Sequence, residues 1–236
     1  MTRNLPQISL VIPCFNEAPR MPACIDGIGR FQASVDAETQ VILVDDGSTD
    51  ETPKVAERLG RGLDNFLVLR RPHLGKGAAL RSGVLESTGG LVFLADADWS
   101  MPPEQASRFL LPGFESEVRI GSREAASSKR HDEPVTRHLL GRVFNAYVRA
   151  LALPEIQDSQ CGFKCLPGDL ARQVFGKLQT DGWAFDVEIL LRVKRIGIPV
   201  KEIGIDWHHD ADTRLQPLQD AARMAWEVWR ITRDVS

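Results

Sequence analysis

At 236 residues with a net charge of −3, the chain can form one large domain or two small ones with a proper core. The slight charge argues against nucleic acid as a partner, and no uninterrupted apolar run approaches the roughly 18 residues a membrane span needs. Cys14, Cys24, Cys161 and Cys165 lack the paired spacing of a metal site; with no signal-like segment ahead of Leu5, they read as reduced thiols of a cytoplasmic protein.

Ile8-Ser9-Leu10-Val11-Ile12 reads as a strand stopped by Pro13. Asn16-Glu17-Ala18-Pro19 opens a helix with Met21, Cys24, Ile25 and Ile28 on one face. Residues 40–44 form the second strand and run into Asp45-Asp46-Gly47-Ser48-Thr49-Asp50, good turn chemistry in itself. Thr52-Pro53 marks a helix start. Residues 65–69 are a third strand, and 76–87 a helix closed by Gly89-Gly90. Residues 91–95 are all apolar without helical periodicity, as in a short strand buried on both faces. They lead into Asp96-Ala97-Asp98-Trp99-Ser100, and a helix begins near Pro102-Pro103. Strands alternating with helices predict a parallel α/β sheet, whose ligands bind beyond the carboxyl ends of the strands. Asn16-Glu17, Asp45-Asp46 and the Asp96/Asp98 pair all fall at such ends.

Residues 117–121 read as a fifth strand followed by Ser122-Arg123. Residues 124–134, with Lys129, Arg130 and His131, form a polar loop long enough to close as a lid. Leu139, Leu140, Val143, Phe144, Tyr147, Val148 and Leu151 recur at helical spacing, with Arg142, Asn145 and Arg149 opposite. Core packing is the favoured reading of that stripe, and an interfacial helix with an arginine face is the other. Asp158-Ser-Gln-Cys-Gly-Phe-Lys164 turns into a strand, and Trp183-Ala-Phe-Asp186-Val-Glu188 opens a helix. A last strand (200–205), a polar loop (207–214) and a terminal helix (218–232) follow. No boundary interrupts the pattern, so a single domain over residues 1–236 with a small C-terminal lobe is expected.

Asp96 and Asp98 stand one residue apart, so in extended chain they point the same way. Converging carboxylates repel unless a cation lies between them. Oxygen ligands suit Mg²⁺ or Mn²⁺, which in turn holds a substrate diphosphate. Taken alone, the pair reads equally as a strand-end turn with Asp98 capping the next helix. Gly75-Lys76-Gly77 lacks the first glycine and the Ser/Thr of a P-loop, and Lys76 either faces a diphosphate or is solvated. Asp45-Asp46 carboxylates suit ribose hydroxyls or a base amide. Arg123 and Arg214, in loops at the expected rim, either bind phosphate bidentately or are ordinary surface arginines. His208 and His209 point apart if extended, so no shared metal is expected.

Ile12-Pro-Cys-Phe-Asn-Glu17, Val44-Asp-Asp-Gly-Ser-Thr-Asp50, Gly75-Lys-Gly77 and Asp96-Ala-Asp98 together resemble glycosyltransferase family 2. Its fold is GT-A, a Rossmann-like, mostly parallel sheet flanked by helices. Gly121-Ser-Arg123, Asp158-Ser-Gln-Cys-Gly-Phe-Lys164 and Trp183-Ala-Phe-Asp-Val-Glu188 are similar to motifs of its dolichyl-phosphate β-glucosyltransferases and polyprenyl-phosphate mannosyltransferases. The resemblance runs over residues 8–215 and implies a nucleotide-binding half (5–122) and an acceptor-binding half (123–236). It implies that Pro13, Phe15, Asn16, Glu17, Val44 and Asp46, with Lys76, hold the nucleotide. Asp96 and Ala97 then hold the ribose-diphosphate, and Asp96, Asp98 and Ser100 the metal. Asp98 and Arg123 are the implied catalytic residues, and Arg123, His208 and Arg214 face the acceptor phosphate. Three positions depart from the pattern. Ser100 replaces a metal-binding glutamine of the mannosyl enzymes, Trp99 a glycine of the glucosyl enzymes, and His208 an arginine of a mannosyl relative.

The implied activity is inverting transfer of a sugar, glucose favoured, from a nucleotide diphosphate sugar to a polyprenyl phosphate, dependent on Mg²⁺ or Mn²⁺. UDP-glucose is the favoured donor and GDP-mannose the other; the implied location is cytoplasmic, peripheral on the membrane face. A phosphate acceptor is already a nucleophile and needs no base. A sugar hydroxyl, the alternative acceptor in polysaccharide or glycolipid synthesis, needs one, with Asp158, Asp186 or Glu188 as candidates. Asp186 and Glu188 read rather as orienting Arg or Lys partners. A nucleotide-sugar sensor and a nucleotidyltransferase are the rival classes.

Overall fold

The computed structural model describes residues 7–210 and 217–235. Its strands are β1 (Ile8–Cys14), β2 (Thr39–Asp45), β3 (Phe66–Arg70), β4 (Leu91–Leu94), β5 (Val118–Ser122), β6 (Lys129–His131), β7 (Lys164–Pro167), β8 (Val200–Gly204) and β9 (Asp206–His208). Its helices are α1 (Met21–Val35), α2 (Thr52–Gly60), α3 (Lys76–Leu85), α4 (Val135–Leu151), α5 (Gly168–Gly176), α6 (Phe185–Arg195) and α7 (Pro217–Asp234). Seven strands make one sheet in the order β3-β2-β1-β4-β7-β5-β8, parallel except for β7, and β6 pairs with β9 in a small second sheet.

Side chains alternate across the sheet and so divide the core in two. Val11, Ile42, Val44, Val92 and Leu94 face α3, α5, α6 and α7. Leu10, Ile12, Val41, Leu43, Leu91 and Phe93 face α1, α2 and a 3-10 helix at Pro103–Leu110. With helices on both faces, the central strands carry near-continuous apolar runs, as parallel strands must.

Four expectations change. β1 continues through Pro13, because the Cys14 carbonyl accepts from Asp46 N–H on the β2 side and the Val11 carbonyl from Ala95 N–H on the β4 side. Pro13 therefore faces β4 where β4 has ended, and its missing N–H breaks no ladder bond. The expected helix after Pro102 is 3-10, and no side chain caps it. Asp98 instead accepts from Ser100 N–H at 2.8 Å, so the capping reading fails. The 124–134 segment is tied down rather than loose: β6 pairs in register with β9, and Arg130 ion-pairs with both Glu124 and Glu133. Three-residue strands are too short for periodicity to reveal.

The α4 stripe is corrected in part: Val148 is core, with Phe144 and Tyr147 packed against it as expected, but the rest of the stripe is not. Leu139 and Val143 are 62% and 60% exposed and Val135 82%, while Asn145, expected outward, is buried. Asn145 Oδ1 accepts from Ser159 Oγ at 3.3 Å. A polar side chain with a partner beneath it can be buried, and that rotates Val135, Leu139 and Val143 into solvent. Among the described residues, no helix is long and apolar enough to cross a membrane.

Candidate active site

A cleft of about 840 Å³ opens at the carboxyl ends of β1, β2 and β4, where the edges of a parallel sheet accept ligands. Its donor-side wall is built from loops that follow buried strands. β2 ends at Asp45, and the next residue, Asp46, accepts from Leu74 N–H and Gly75 N–H at 3.0 Å each. His73 Nδ1 lies 2.8 Å from the same carboxylate, and its ring stacks on Phe15 at 4.0 Å between centroids. Asn16 Oδ1 accepts from Thr49 N–H and Asp50 N–H, fastening the end of β1 to the turn after β2.

β4 delivers the acidic pair. Asp96 Oδ1 lies 2.5 Å from Lys76 Nζ at the first residue of α3, and the same amine is 5.4 Å from the centre of the Trp183 ring. Burial works against the Lys76 charge, but Asp96, backed by Asp186, holds its pKa above the ordinary lysine value. Burial and then Asp96 raise the pKa of Asp98. The loop is rigid: Trp99 has φ +48° and donates its indole N–H to the Cys24 carbonyl at 3.0 Å. Gly27 makes room for that indole, since a Cβ there would lie 2.1 Å from Trp99 Nε1. Likewise a Cβ on Gly162 would lie 2.1 Å from Asp96 Oδ2.

These residues fit a divalent ion. Two carboxylates against one lysine leave a negative balance, and Asp96 adds to burial in raising the Asp98 pKa. No group of three His, Cys, Asp or Glu side chains suited to a metal exists among the described residues. An ion here would thus take further oxygens from Ser100, water or a substrate diphosphate, as Mg²⁺ commonly does.

The opposite wall is cationic. Asp158, with its side chain fully buried, accepts from Arg123 N–H at 2.9 Å, Nε at 2.7 Å and Nη2 at 2.8 Å. Burial alone would raise the Asp158 pKa, but Arg123 outweighs it and holds the carboxyl at about 2. The guanidinium also lies 5.5 Å from the centre of the Trp207 ring. Arg137 lines the same wall with no ion-pair partner among the described residues; burial lowers its pKa, and Arg123 adds to that against Glu133. Behind this wall, Lys164 Nζ pairs with Asp186 at 2.5 Å and donates to the Cys161 carbonyl. Glu188 accepts from two backbone N–H groups and from Arg192. Asp186 and Glu188 thus orient cations, as the sequence suggested.

Of the residues singled out, Pro13, Phe15, Glu17, Asp46, Lys76, Asp96, Ala97, Asp98, Ser100 and Arg123 line the cleft. Asn16 and Val44 do not: the first braces the loop beneath, and the second is core. His208 lies off the cleft, stacked on His131 at 4.4 Å, because β9 pairs it there with β6. Arg214 lies outside the described residues. Sequence reasoning missed Arg137, Trp183 and Trp207. Arg137 carried a signal, since a cation in the first turn of a helix opposes the dipole and so invites an anion. The four cysteines are buried and free, and burial pushes Cys161 up to about 11, which leaves no reactive thiol there.

A mostly parallel sheet with a nucleotide-sized cleft, acids on one wall and arginines on the other, defines a GT-A glycosyltransferase. The Glycosyl transferase family 2 profile matches residues 9–168. The chain belongs to that family. It is 33% identical to the dolichyl-phosphate beta-glucosyltransferase of Homo sapiens, over 94% of this chain and 74% of that one. It is 29% identical to the enzyme of the same name from Dictyostelium discoideum, over 95% and 73%. Among solved structures it resembles glucosyl-3-phosphoglycerate synthase from Mycobacterium tuberculosis in complex with Mn²⁺, UDP-glucose and glycerol 3-phosphate. That match has a TM-score of 0.66 at 21% identity, covering 96% of this chain and 78% of that one.

Proposed function

We propose that this enzyme transfers glucose from UDP-glucose to a polyprenyl phosphate, with inversion at the anomeric carbon. One observation carries the acceptor class. Apart from the Asp96/Asp98 pair, the carboxylates of the cleft wall are committed among the described residues. Asp46 accepts backbone N–H groups; Glu124 and Glu133 pair with Arg130, Asp186 with Lys164, and Glu17 and Asp210 with Arg20. Asp158, held at about 2 by Arg123, is no base either. A sugar hydroxyl needs a base to attack, whereas a phosphate monoester attacks as it is. The relatives named dolichyl-phosphate beta-glucosyltransferase support the same acceptor and favour glucose.

In this mechanism Phe15 and His73 stack beside the nucleoside, and Lys76 faces the diphosphate. Asp98 and Asp96, with Ser100 beside them, would hold a divalent ion. Mn²⁺ accompanies UDP-glucose and GDP-Man in solved structures of similar fold. When bound, such an ion offsets charge growing on a departing diphosphate. Arg123, locked by Asp158 and Trp207, and Arg137, without an ion-pair partner among the described residues, hold the acceptor phosphate in line with the anomeric carbon. The test is incubation with radiolabelled UDP-glucose, Mn²⁺ and undecaprenyl phosphate. Label should pass into the lipid phase, and Asp98→Asn should abolish it. Label found only in soluble saccharide, or transfer from GDP-mannose alone, would overturn the assignment.

A further inference from the structure

The segment between α4 and β7 is fastened at nearly every residue. Gln157 N–H and Asp158 N–H donate to the two carboxylate oxygens of Glu202, at 2.9 and 3.0 Å, and Ser159 Oγ donates to Asn145 at 3.3 Å. The Cys161 carbonyl accepts from Lys164 Nζ, and the Phe163 carbonyl accepts from Gly121 N–H at 2.8 Å. Gln160 stands in the middle of this run and lines the cleft. Its Nε2 is buried with no hydrogen-bond partner among the described residues. The other buried side-chain atoms found in that condition, on Thr180, Asp181, His209 and Glu227, belong to residues off the cleft wall. A native fold leaves few buried polar atoms unpaired, because each one lowers stability. Here the backbone on both sides is pinned, so the amide is held at the cleft without a partner of its own.

The neighbours of Gln160 define what would meet it. Asp158, two residues before, holds Arg123 on the cationic wall, and Gly162, two residues after, lies against Asp96 on the acidic wall. Gln160 therefore stands where the two walls join. Under the proposed function the sugar lies between a diphosphate on one wall and a phosphate on the other, because inversion puts nucleophile and leaving group on opposite faces of the anomeric carbon. A neutral amide is a poor match for either phosphate when Lys76, Arg123 and Arg137 line the same cleft. It matches a hydroxyl, which like the amide both donates and accepts. We infer that Gln160 selects the donor by hydrogen-bonding a hydroxyl of the transferred hexose, its amide turning into the cleft as the sugar enters. That turn is about the terminal Cγ–Cδ bond, a broad torsion, and no hydrogen bond on Nε2 resists it. The inference rests on the proposed function for the place of the sugar, and it adds the side chain that distinguishes one sugar from another.

A cycle of Gln160→Leu against UDP-glucose and each of its monodeoxy analogues tests this, read by calorimetry with Mn²⁺ and by turnover on undecaprenyl phosphate. With the wild-type enzyme one analogue should lose roughly tenfold to a hundredfold in donor affinity and kcat/KM, since it leaves the turned amide unpaired. Gln160→Leu should lose a similar factor with UDP-glucose, and should separate UDP-glucose from that analogue by less than about threefold. Its affinity for UDP, which carries no sugar, should match wild type. Its thermal midpoint without ligand should be equal or higher, because an unpartnered buried amide has gone. A lowered midpoint, a parallel loss of UDP affinity, a change confined to the acceptor KM, or deoxy losses that persist undiminished in Gln160→Leu would each overturn the inference. Calorimetry needs no acceptor, so coupling in binding without label in any lipid phosphate would sink the proposed acceptor and leave the role of Gln160 intact. Wild-type protein that binds GDP-mannose and not UDP-glucose would sink the proposed donor, and the same cycle on GDP-mannose and its deoxy analogues then decides Gln160 by the same outcomes.

Discussion

Asp158→Asn is the sharpest probe of the cationic wall. The substitution keeps the shape of a side chain with no exposure but removes the charge that three hydrogen bonds from Arg123 converge upon. An amide nitrogen would also meet the guanidinium donor to donor on one side. Leaving one member of a buried ion pair alone costs roughly 3–5 kcal/mol. Arg123 keeps 20% side-chain exposure, so water relieves part of the loss and a value near 3 kcal/mol follows. Urea unfolding followed by tryptophan fluorescence measures it. The companion is R123M/D158L, in which both charges go together; apolar replacement of a whole buried pair is close to neutral, so most of the lost stability should return, to within about 1 kcal/mol of wild type. Sugar transfer should not return, because Arg123 is gone. If Asp158→Asn unfolds within 1 kcal/mol of wild type and turns over normally, or if the double variant is active, the pair does not organise the acceptor wall.

Three further outcomes follow from the same geometry. Asp158 titrates near 2 folded and near 4 unfolded, so its contribution is complete above about pH 4 and disappears as pH falls through about 2; acid titration of R123M/D158L should lack that part of the unfolding limb. Gly162→Ala places a methyl carbon 2.1 Å from Asp96 Oδ2, which must move. It should abolish stabilisation by Mn²⁺ with UDP in thermal-shift assays while changing the unfolding free energy of the ligand-free protein by less than about 1 kcal/mol. Arg137→Gln, at a side chain with no ion-pair partner among the described residues, should raise the acceptor KM about tenfold or more through one lost charge-assisted contact, and leave UDP binding unchanged by calorimetry.

What the residues revealed, and what they hid, follows from the range of the interactions involved. β1, β2 and β4 were readable because a strand buried on both faces must be apolar throughout, and because Asp46 and Asp96 interrupt those runs where the strands stop. The donor wall follows directly, since its residues come straight after the strands that hold them. α4 was misread because its apolar positions span more than half the helix circumference. Partners remote in sequence, Ser159 for Asn145 and Ala225 for Tyr147, decide which part faces in. Arg119 is a similar case: fully buried within β5, it donates to the carbonyls of Phe109, Leu111 and Pro112 and to Glu117. Nothing local distinguishes it from an exposed strand arginine.

The antiparallel strand explains why the acceptor wall escaped a reading in chain order. β7 enters the sheet between β4 and β5. Running opposite to both, it starts where they end. The segment leading into it is therefore delivered to the cleft, although it lies far from Asp96 and Arg123 in sequence. That one segment supplies Asp158 to Arg123, Gly162 to the back of Asp96, and Lys164, at the first residue of β7, to Asp186 on α6. A parallel β7 would begin at the opposite edge of the sheet and bring none of them. The strand that breaks the parallel pattern is thus what couples the acidic wall to the basic one, and a shift of its register by one residue would turn Lys164 to the other face and displace both walls together.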